Sequence, residues 1–184
     1  MRIIAGKRKG LIIKTIDEDS IRPTKDMVRE ALFSILTNDT YGSKFLDLFA
    51  GSGAVGMEAL SRGASAALFV DLNPKCIQVI KENLEKAHMQ EDAEVWKSDY
   101  QTALEKMNDK NLRFNLIYID PPYHHGYGID AIQKISDYDL LMDDGKIIFE
   151  SDTDEEVPEE IGKFERYNYK RYGRNRLNLF RRKG

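Results

Sequence analysis

Phe45-Leu46-Asp47-Leu48-Phe49-Ala50-Gly51-Ser52-Gly53-Ala54-Val55-Gly56 is the stretch on which the fold turns. A run apolar at every position but Asp47, with no regular alternation, reads as a strand covered on both faces, here Phe45–Ala50. It runs straight into Gly-x-Gly-x-x-Gly and then a helix to about Arg62, which Gly63 ends. Outward from this unit the pattern repeats. Ala66–Val70 is a second strand closing at Asp71, and Asn73-Pro74 caps and opens a helix over 74–87. Ala93–Lys97 is a third strand with Ser98-Asp99 at its end, followed by a short helix to about Met107. Phe114–Ile119 is a fourth, a helix covers about 128–136, and Lys146–Glu150 is a fifth. Repeated βα units with buried-type strands predict an α/β fold, a Rossmann-like parallel sheet with helices on both faces. Phe164–Tyr172 and Asn175–Arg182, rich in aromatics and leucine around Gly173, predict a closing antiparallel hairpin. The acidic stretch Asp152–Glu160 reads as a loop or short helix.

The glycines and Asp71, twenty residues after Gly51, fit a nucleoside-containing cofactor. Glycine lets the ligand approach the backbone, and a carboxylate ending the second strand accepts the ribose hydroxyls. Two cofactors suit this spacing, a dinucleotide and S-adenosylmethionine. The run Asp47-x-x-x-Gly51-x-Gly53 resembles the first motif of class I methyltransferases. Asp99 falls where such enzymes place a group near the adenine edge, and by itself it also reads as a helix N-cap.

Asp120-Pro121-Pro122-Tyr123 follows the fourth strand. Two prolines fix φ and interrupt regular hydrogen bonding, so the chain leaves the sheet as a stiff corner at its carboxyl edge. The corner offers two acceptors, the Asp120 carboxylate and the Pro121 carbonyl, and one aromatic face, Tyr123. Acceptors holding both hydrogens of a planar exocyclic amine would orient it and localise its lone pair, while the ring holds the base plane. The next two residues, His124 and His125, read as solvated loop.

Charge is unevenly distributed. The net value is −3, which for the whole chain points away from nucleic acid. Residues 1–14 nevertheless hold Arg2, Lys7, Arg8, Lys9 and Lys14 with no acid, and residues 163–184 hold nine bases against Glu165 alone. An acidic body with two basic ends fits a nucleic-acid partner and equally fits solvated basic termini. The first end reads as a β-hairpin with Lys7-Arg8-Lys9 at its tip, followed by a loop with Arg22-Pro23-Thr24 and a helix over about 25–37. This divides the chain into an N-terminal extension, 1–43, and a catalytic domain, 44–184. Those early charges leave no apolar stretch of signal-peptide length, and a mean hydropathy of −0.53 excludes a membrane span. The single cysteine, Cys76, fits helix packing in a reducing compartment. It excludes a cysteine-based zinc site, so no metal and a cytoplasmic location are expected.

The proline corner resembles that of the amino-group methyltransferases acting on adenine N6, guanine N2 or glutamine N5. Arg2–Gly6, Arg22-Pro23-Thr24, Val28–Phe33, Phe45–Gly56, Glu58–Ala64 and Arg171-Tyr172-Gly173 together resemble the RsmD family of bacterial 16S rRNA (guanine-N2)-methyltransferases. That resemblance implies a seven-stranded sheet, S-adenosylmethionine as cofactor and S-adenosylhomocysteine as product. It further implies 16S rRNA as the substrate, within a small-subunit particle; separately, a monomer is expected. It places Asp47, Phe49, Ala50, Gly51, Ser52 and Gly53 at the methionine end, Asp71 and Leu72 at the ribose, and Asp99 and Tyr100 at the adenine. Asp120, Pro121, Pro122 and Tyr123 would hold the guanine amine. Arg2, Lys7, Arg8, Lys9, Arg22, Thr24, Arg29, Arg171 and Tyr172 would face RNA. A DNA adenine enzyme needs a larger base-reading region than the first 43 residues supply. A glutamine enzyme usually carries Asn in the corner, and a binding module does not need an intact corner.

Overall fold

The computed structural model describes residues 1–16 and 23–184. One sheet of eight strands organises the chain: β1 (Lys44–Leu48), β2 (Ala66–Asp71), β3 (Ala93–Lys97), β4 (Phe114–Ile119), β5 (Leu141–Asp152), β6 (Glu160–Ile161), β7 (Phe164–Tyr172) and β8 (Asn175–Arg182). Among the described residues five α-helices accompany it: α1 (Pro23–Ile35), α2 (Ala54–Ser61), α3 (Pro74–Ala87), α4 (Tyr100–Asp109) and α5 (Tyr127–Asp137). The strand order is β3-β2-β1-β4-β5-β8-β7-β6. The first five are mutually parallel, and β8 joins β5 antiparallel, with β7 and β6 beyond it. The eighth strand, one more than expected, is β6, a two-residue piece of the acidic stretch that pairs with the start of β7.

The boundaries follow from local chemistry. β1 stops at Leu48, two residues before the predicted end, because Phe49 turns to φ 68°. Asn73 caps α3 by accepting from Lys75 N at 2.9 Å, with Pro74 at its first turn. β5 begins five residues before the predicted Lys146, because a register shift against β4 absorbs the Asp143-Asp144-Gly145 interruption. β7 carries a second shift between Arg166 and Asn168, and there the alternation of its side chains reverses.

Two apolar layers flank the sheet. α4 and α5 pack on one face with Leu46, Leu48, Ile117 and Ile119. α1, α2, α3 and the N-terminal segment pack on the other, with Phe45, Phe69, Tyr118 and Leu179. The N-terminal segment is therefore part of the core, since Ile3 and Ile13 are fully buried in it. Its hairpin reduces to one bridge, Arg2 with Ile12. The buried Glu58 of α2 clamps it, accepting from Ile4 N at 2.9 Å and Ala5 N at 3.0 Å while pairing with Arg62.

β1 and β4 lie side by side although the chain continues from β1 in one direction and from β4 in the other. This reversal opens a crevice at the carboxyl ends of the strands.

Candidate active site

The crevice is a cleft of about 1620 Å³, large enough for a nucleoside cofactor and a second planar group. Its walls come from the carboxyl ends of β1, β2, β4 and β5, the start of α1, and the β7–β8 turn.

The glycine turn forms one wall, and its three glycines have three separate causes. Gly51 has φ 58°, and a Cβ there would meet no atom within 4 Å, so it leaves open space where it lines the cleft. Gly53, expected at the cofactor, is buried beneath the wall, with φ 82° and a virtual Cβ 3.2 Å from Ile80. Gly56 lets α2 press on the sheet, since a Cβ would fall 2.4 Å from the Phe69 ring. Phe49, Ala50, Ser52 and Leu72 line the cleft.

Three acids face this wall. Asp47 is buried, its Oδ2 accepts from Gly56 N at 2.9 Å, and no cation pairs with it among the described residues. Burial, with the charge of Asp71 as a lesser cause, pushes its carboxyl up to about 7. Asp71 is held by Gly51 N and Asn73 N, both at 2.9 Å. Asp99 is a helix cap that also faces the cleft. It caps α4 through Thr102 N and Oγ1, both at 2.8 Å. Those bonds, the backbone one first, hold its carboxyl below the usual range. Beside it Phe49, Tyr100 and Tyr127 form a tilted aromatic series with centroids 5.3 and 5.5 Å apart. Tyr100 is tethered by donating to Asp130 at 2.7 Å.

The proline corner forms the opposite wall. Asp120, Pro121, Pro122 and Tyr123 all line the cleft. Burial first, and the nearby charge of Glu150 second, push the Asp120 carboxyl well above the ordinary carboxylate range, while Lys25 opposes the shift. Glu150 is itself buried, accepts from the Tyr118 hydroxyl, and is also raised by burial. Tyr123 is half-exposed, and its hydroxyl donates to Asn175 Oδ1 at 3.1 Å, tying the corner to the β7–β8 turn. Glu150, Tyr118, Lys25 and Asn175 were not foreseen. The one signal for Glu150 was that the fifth predicted strand, like the second and fourth, runs into a carboxylate.

The predicted RNA residues separate. Arg171 and Tyr172 end β7 next to the turn that lines the cleft. Lys7-Arg8-Lys9 do not reach the cleft. Lys7 N donates to Ser61 O at 2.8 Å and Arg8 Nε to Ala87 O at 2.6 Å. Those are the last residues of α2 and α3, which run back from the carboxyl edge to the other end of the sheet. Arg8 thus satisfies a helix C-terminus. Arg29 is buried, and its guanidinium bonds Arg2 O at 2.6 Å beside Glu58 and Asp26. It lines the cleft floor as an internal cation. The side chain of Arg2 is exposed. Arg22 and the side chain of Thr24 lie outside the described residues. His124 is exposed 3.7 Å from Asp152, and His125 stacks on Tyr127 with centroids 5.2 Å apart. Among the described residues no group of three or more potential ligands could hold a metal ion, and no helix is long and apolar enough to cross a membrane.

A family model described as conserved hypothetical protein 95 matches residues 1–181, which is nearly the whole chain. The chain belongs to the RsmD family. This RsmD-family chain is 36% identical over 184 residues to "Putative rRNA methyltransferase YlbH" of Bacillus subtilis, covering all of both chains. It is 34% identical over 158 residues to "Ribosomal RNA small subunit methyltransferase D" of Escherichia coli, covering 86% of this chain and 78% of the relative. Among solved structures it resembles "Putative methyltransferase yhhF" from Escherichia coli, with a TM-score of 0.85 and 31% identity over 100% of this chain and 98% of the other. A more distant chain of the same fold, 16% identical with a TM-score of 0.69 over 87% of this chain and half of its own, is described as complexed with SAH.

The residues present fit S-adenosylmethionine, the cofactor that the family resemblance implies. Asp47 is a buried acid without a cationic partner among the described residues, suited to the ammonium group of the cofactor's zwitterionic methionine end. Asp71 stands at the strand end suited to ribose hydroxyls, and the Phe49–Tyr100 rings offer an aromatic surface for a purine. Bound there, the cofactor supplies an electrophilic methyl group on a positively charged sulfur.

Proposed function

We propose that this chain methylates the exocyclic N2 amine of a guanine in small-subunit ribosomal RNA, acting as a monomer on an RNA–protein particle. The observation that carries the reading is the proline corner. Asp120, Pro121 and Tyr123 face the cleft across from the acids suited to the cofactor. The Asp120 carboxylate and Pro121 carbonyl accept the two amine hydrogens, and Tyr123, fixed by Asn175, holds the base plane. Orientation of the amine lone pair supplies much of the rate. The proton released after methylation passes to Asp120 or to water. The names of the two relatives support ribosomal RNA as the substrate class.

Arg171 and Tyr172 contact RNA beside the cleft. Arg22 and Thr24 are assigned to RNA by the family resemblance alone. Lys7 and Lys9, exposed at the far end of the sheet, would meet RNA only through a second contact away from the target base. The test is transfer of a tritiated methyl group to small-subunit particles and naked rRNA from a strain lacking the gene, followed by nucleoside analysis. N2-methylguanosine is expected. Recovery of N6-methyladenosine, or label only in protein glutamine, would overturn the assignment.

A further inference from the structure

The register shift in β7 makes a surface that the sequence does not reveal. Before the shift Arg166 pairs with Phe180, on the sheet face that carries α4 and α5. Regular alternation would continue that face through Asn168, Lys170 and Tyr172. The extra residue reverses this, so that Tyr169 pairs with Asn178 and Arg171 with Arg176 on the Arg166 face. Tyr167 instead goes to the opposite face, under Arg181. As a result Tyr169 lies between two guanidinium groups, with Arg166 at 5.1 Å and Arg171 at 6.0 Å from its ring centroid.

Arg176 completes the cluster from β8. Burial first, then the like charges of Arg166 and Arg171, hold its guanidinium below the usual range, with the charge of Glu155 opposing. Neither Arg166, Arg171 nor Arg176 has a carboxylate within 4 Å among the described residues. Their protein partners are neutral oxygens: Asn178 Oδ1 for Arg166, at 3.0 Å, and the Glu155 carbonyl for Arg176. The Nε of Arg176 is buried with no partner. Three cations held together against their mutual repulsion, around a tyrosine that keeps half of its surface exposed, form a site for a polyanion with flat groups. The patch is continuous with the active site, because β7 and β8 meet at the Gly173–Asn175 turn that lines the cleft and holds Tyr123.

We propose that the Arg166–Tyr169–Arg171 face of the β7–β8 ribbon binds the RNA strand flanking the target guanine, the arginines on phosphates and Tyr169 stacked on an unpaired base. This rests on the ribosomal RNA reading above and names the surface that positions the substrate. Stacking on aromatic residues and guanidinium planes is how proteins hold single-stranded RNA. Phosphate neutralisation makes the affinity salt-dependent, and each single-strand phosphate that a cation neutralises adds about 0.7 to the slope.

The test uses the full chain, fluorescently labelled, and small-subunit particles from a strain lacking the gene, with binding followed by fluorescence anisotropy from 50 to 200 mM salt. Three variants are compared: Arg166→Gln with Arg171→Gln, Tyr169→Ala, and Tyr169→Phe. The arginine pair is expected to lose tenfold or more in affinity and to flatten the salt slope by about 1.4. Tyr169→Ala should lose about tenfold with the slope nearly unchanged, and Tyr169→Phe should retain wild-type binding. All three should bind S-adenosylhomocysteine like wild type by calorimetry, which separates a substrate surface from a damaged fold. Wild-type affinity and slope in both the arginine and alanine variants, with wild type still methylating rRNA, would overturn this surface alone. A wild-type chain that neither binds nor methylates rRNA, yet binds the cofactor, would overturn the RNA reading and this surface with it.

Discussion

Replacing Asp47 with Asn should make the cofactor-free protein more stable in a pH-dependent way. Asp47 is buried at the end of β1 with one backbone N–H bond and no cation beside it. Its carboxyl moves from 3.8 in the unfolded chain to about 7 in the folded one. At about 1.4 kcal/mol per pKa unit, that shift corresponds to about 4 kcal/mol. A carboxyl with a raised folded pKa binds its proton more tightly in the native state. Its contribution to stability is therefore complete below pH ~4 and is lost as pH rises through about 7. Asparagine keeps an oxygen for the Gly56 N–H and cannot ionise. The variant should match wild type near pH 4 and gain on it by roughly 1.4 kcal/mol per unit until the difference levels off above pH 7. Urea unfolding of both proteins at half-unit steps from pH 4 to 8.5 measures this directly. A difference that stays flat across that range would refute the buried, uncompensated carboxylate. The same substitution should weaken S-adenosylmethionine tenfold or more, because the charge that destabilises the empty site faces the cationic ligand. Undiminished affinity would show that Asp47 serves the fold and not the cofactor.

Asp120→Asn should lower methyl transfer by about 10²–10³-fold with cofactor affinity nearly unchanged, as read by single-turnover kinetics and calorimetry. Equal loss of both would make Asp120 a cofactor residue. The acid limb of methyl transfer should lie above the ordinary carboxylate range, because burial and Glu150 both raise Asp120. Glu150→Gln removes the neighbouring charge, so a pH–rate profile should show that limb moving to lower pH. Gly56→Ala sets a methyl group 2.4 Å from the Phe69 ring, which is itself fully buried. The expected loss is about 1–3 kcal/mol by urea unfolding, despite the better helix propensity of alanine. Glu58→Ala strands two backbone donors and removes the carboxylate that pairs with Arg62 and faces the buried Arg29. It should cost about 3–5 kcal/mol and expose the first 16 residues to limited proteolysis.

Much of the sheet was legible from its residue types and turn signals. β4 begins and ends where its apolar run does, because a continuous apolar stretch has no other stable setting, whereas the largely exposed β3 and β7 are bounded by Ser98-Asp99 and Gly173. The sites at strand ends were legible for a related reason. Parallel strands all end at one edge, so Asp71, Asp99 and Asp120 converge there whatever the lengths of the connections between them. What depended on non-local pairing was not legible. β6 exists because β7 offers it an edge, and β5 extends past Asp143-Asp144 because a register shift absorbs them.

The split of charge shows the same division. Composition by itself determined that this acidic chain has two basic ends, and local sequence determined a nucleoside cleft facing a rigid acceptor corner. Only the tertiary structure decided where those charges act. Helices running back from the carboxyl edge carry Lys7-Arg8-Lys9 to the far end of the sheet, where Arg8 closes a helix terminus. Packing against Glu58 turned Arg29 inward. One extra residue in β7 brought Arg166, Tyr169 and Arg171 onto a single face beside the cleft. Charge is a property of composition, whereas the face it occupies is set by the pairing of strands distant in sequence.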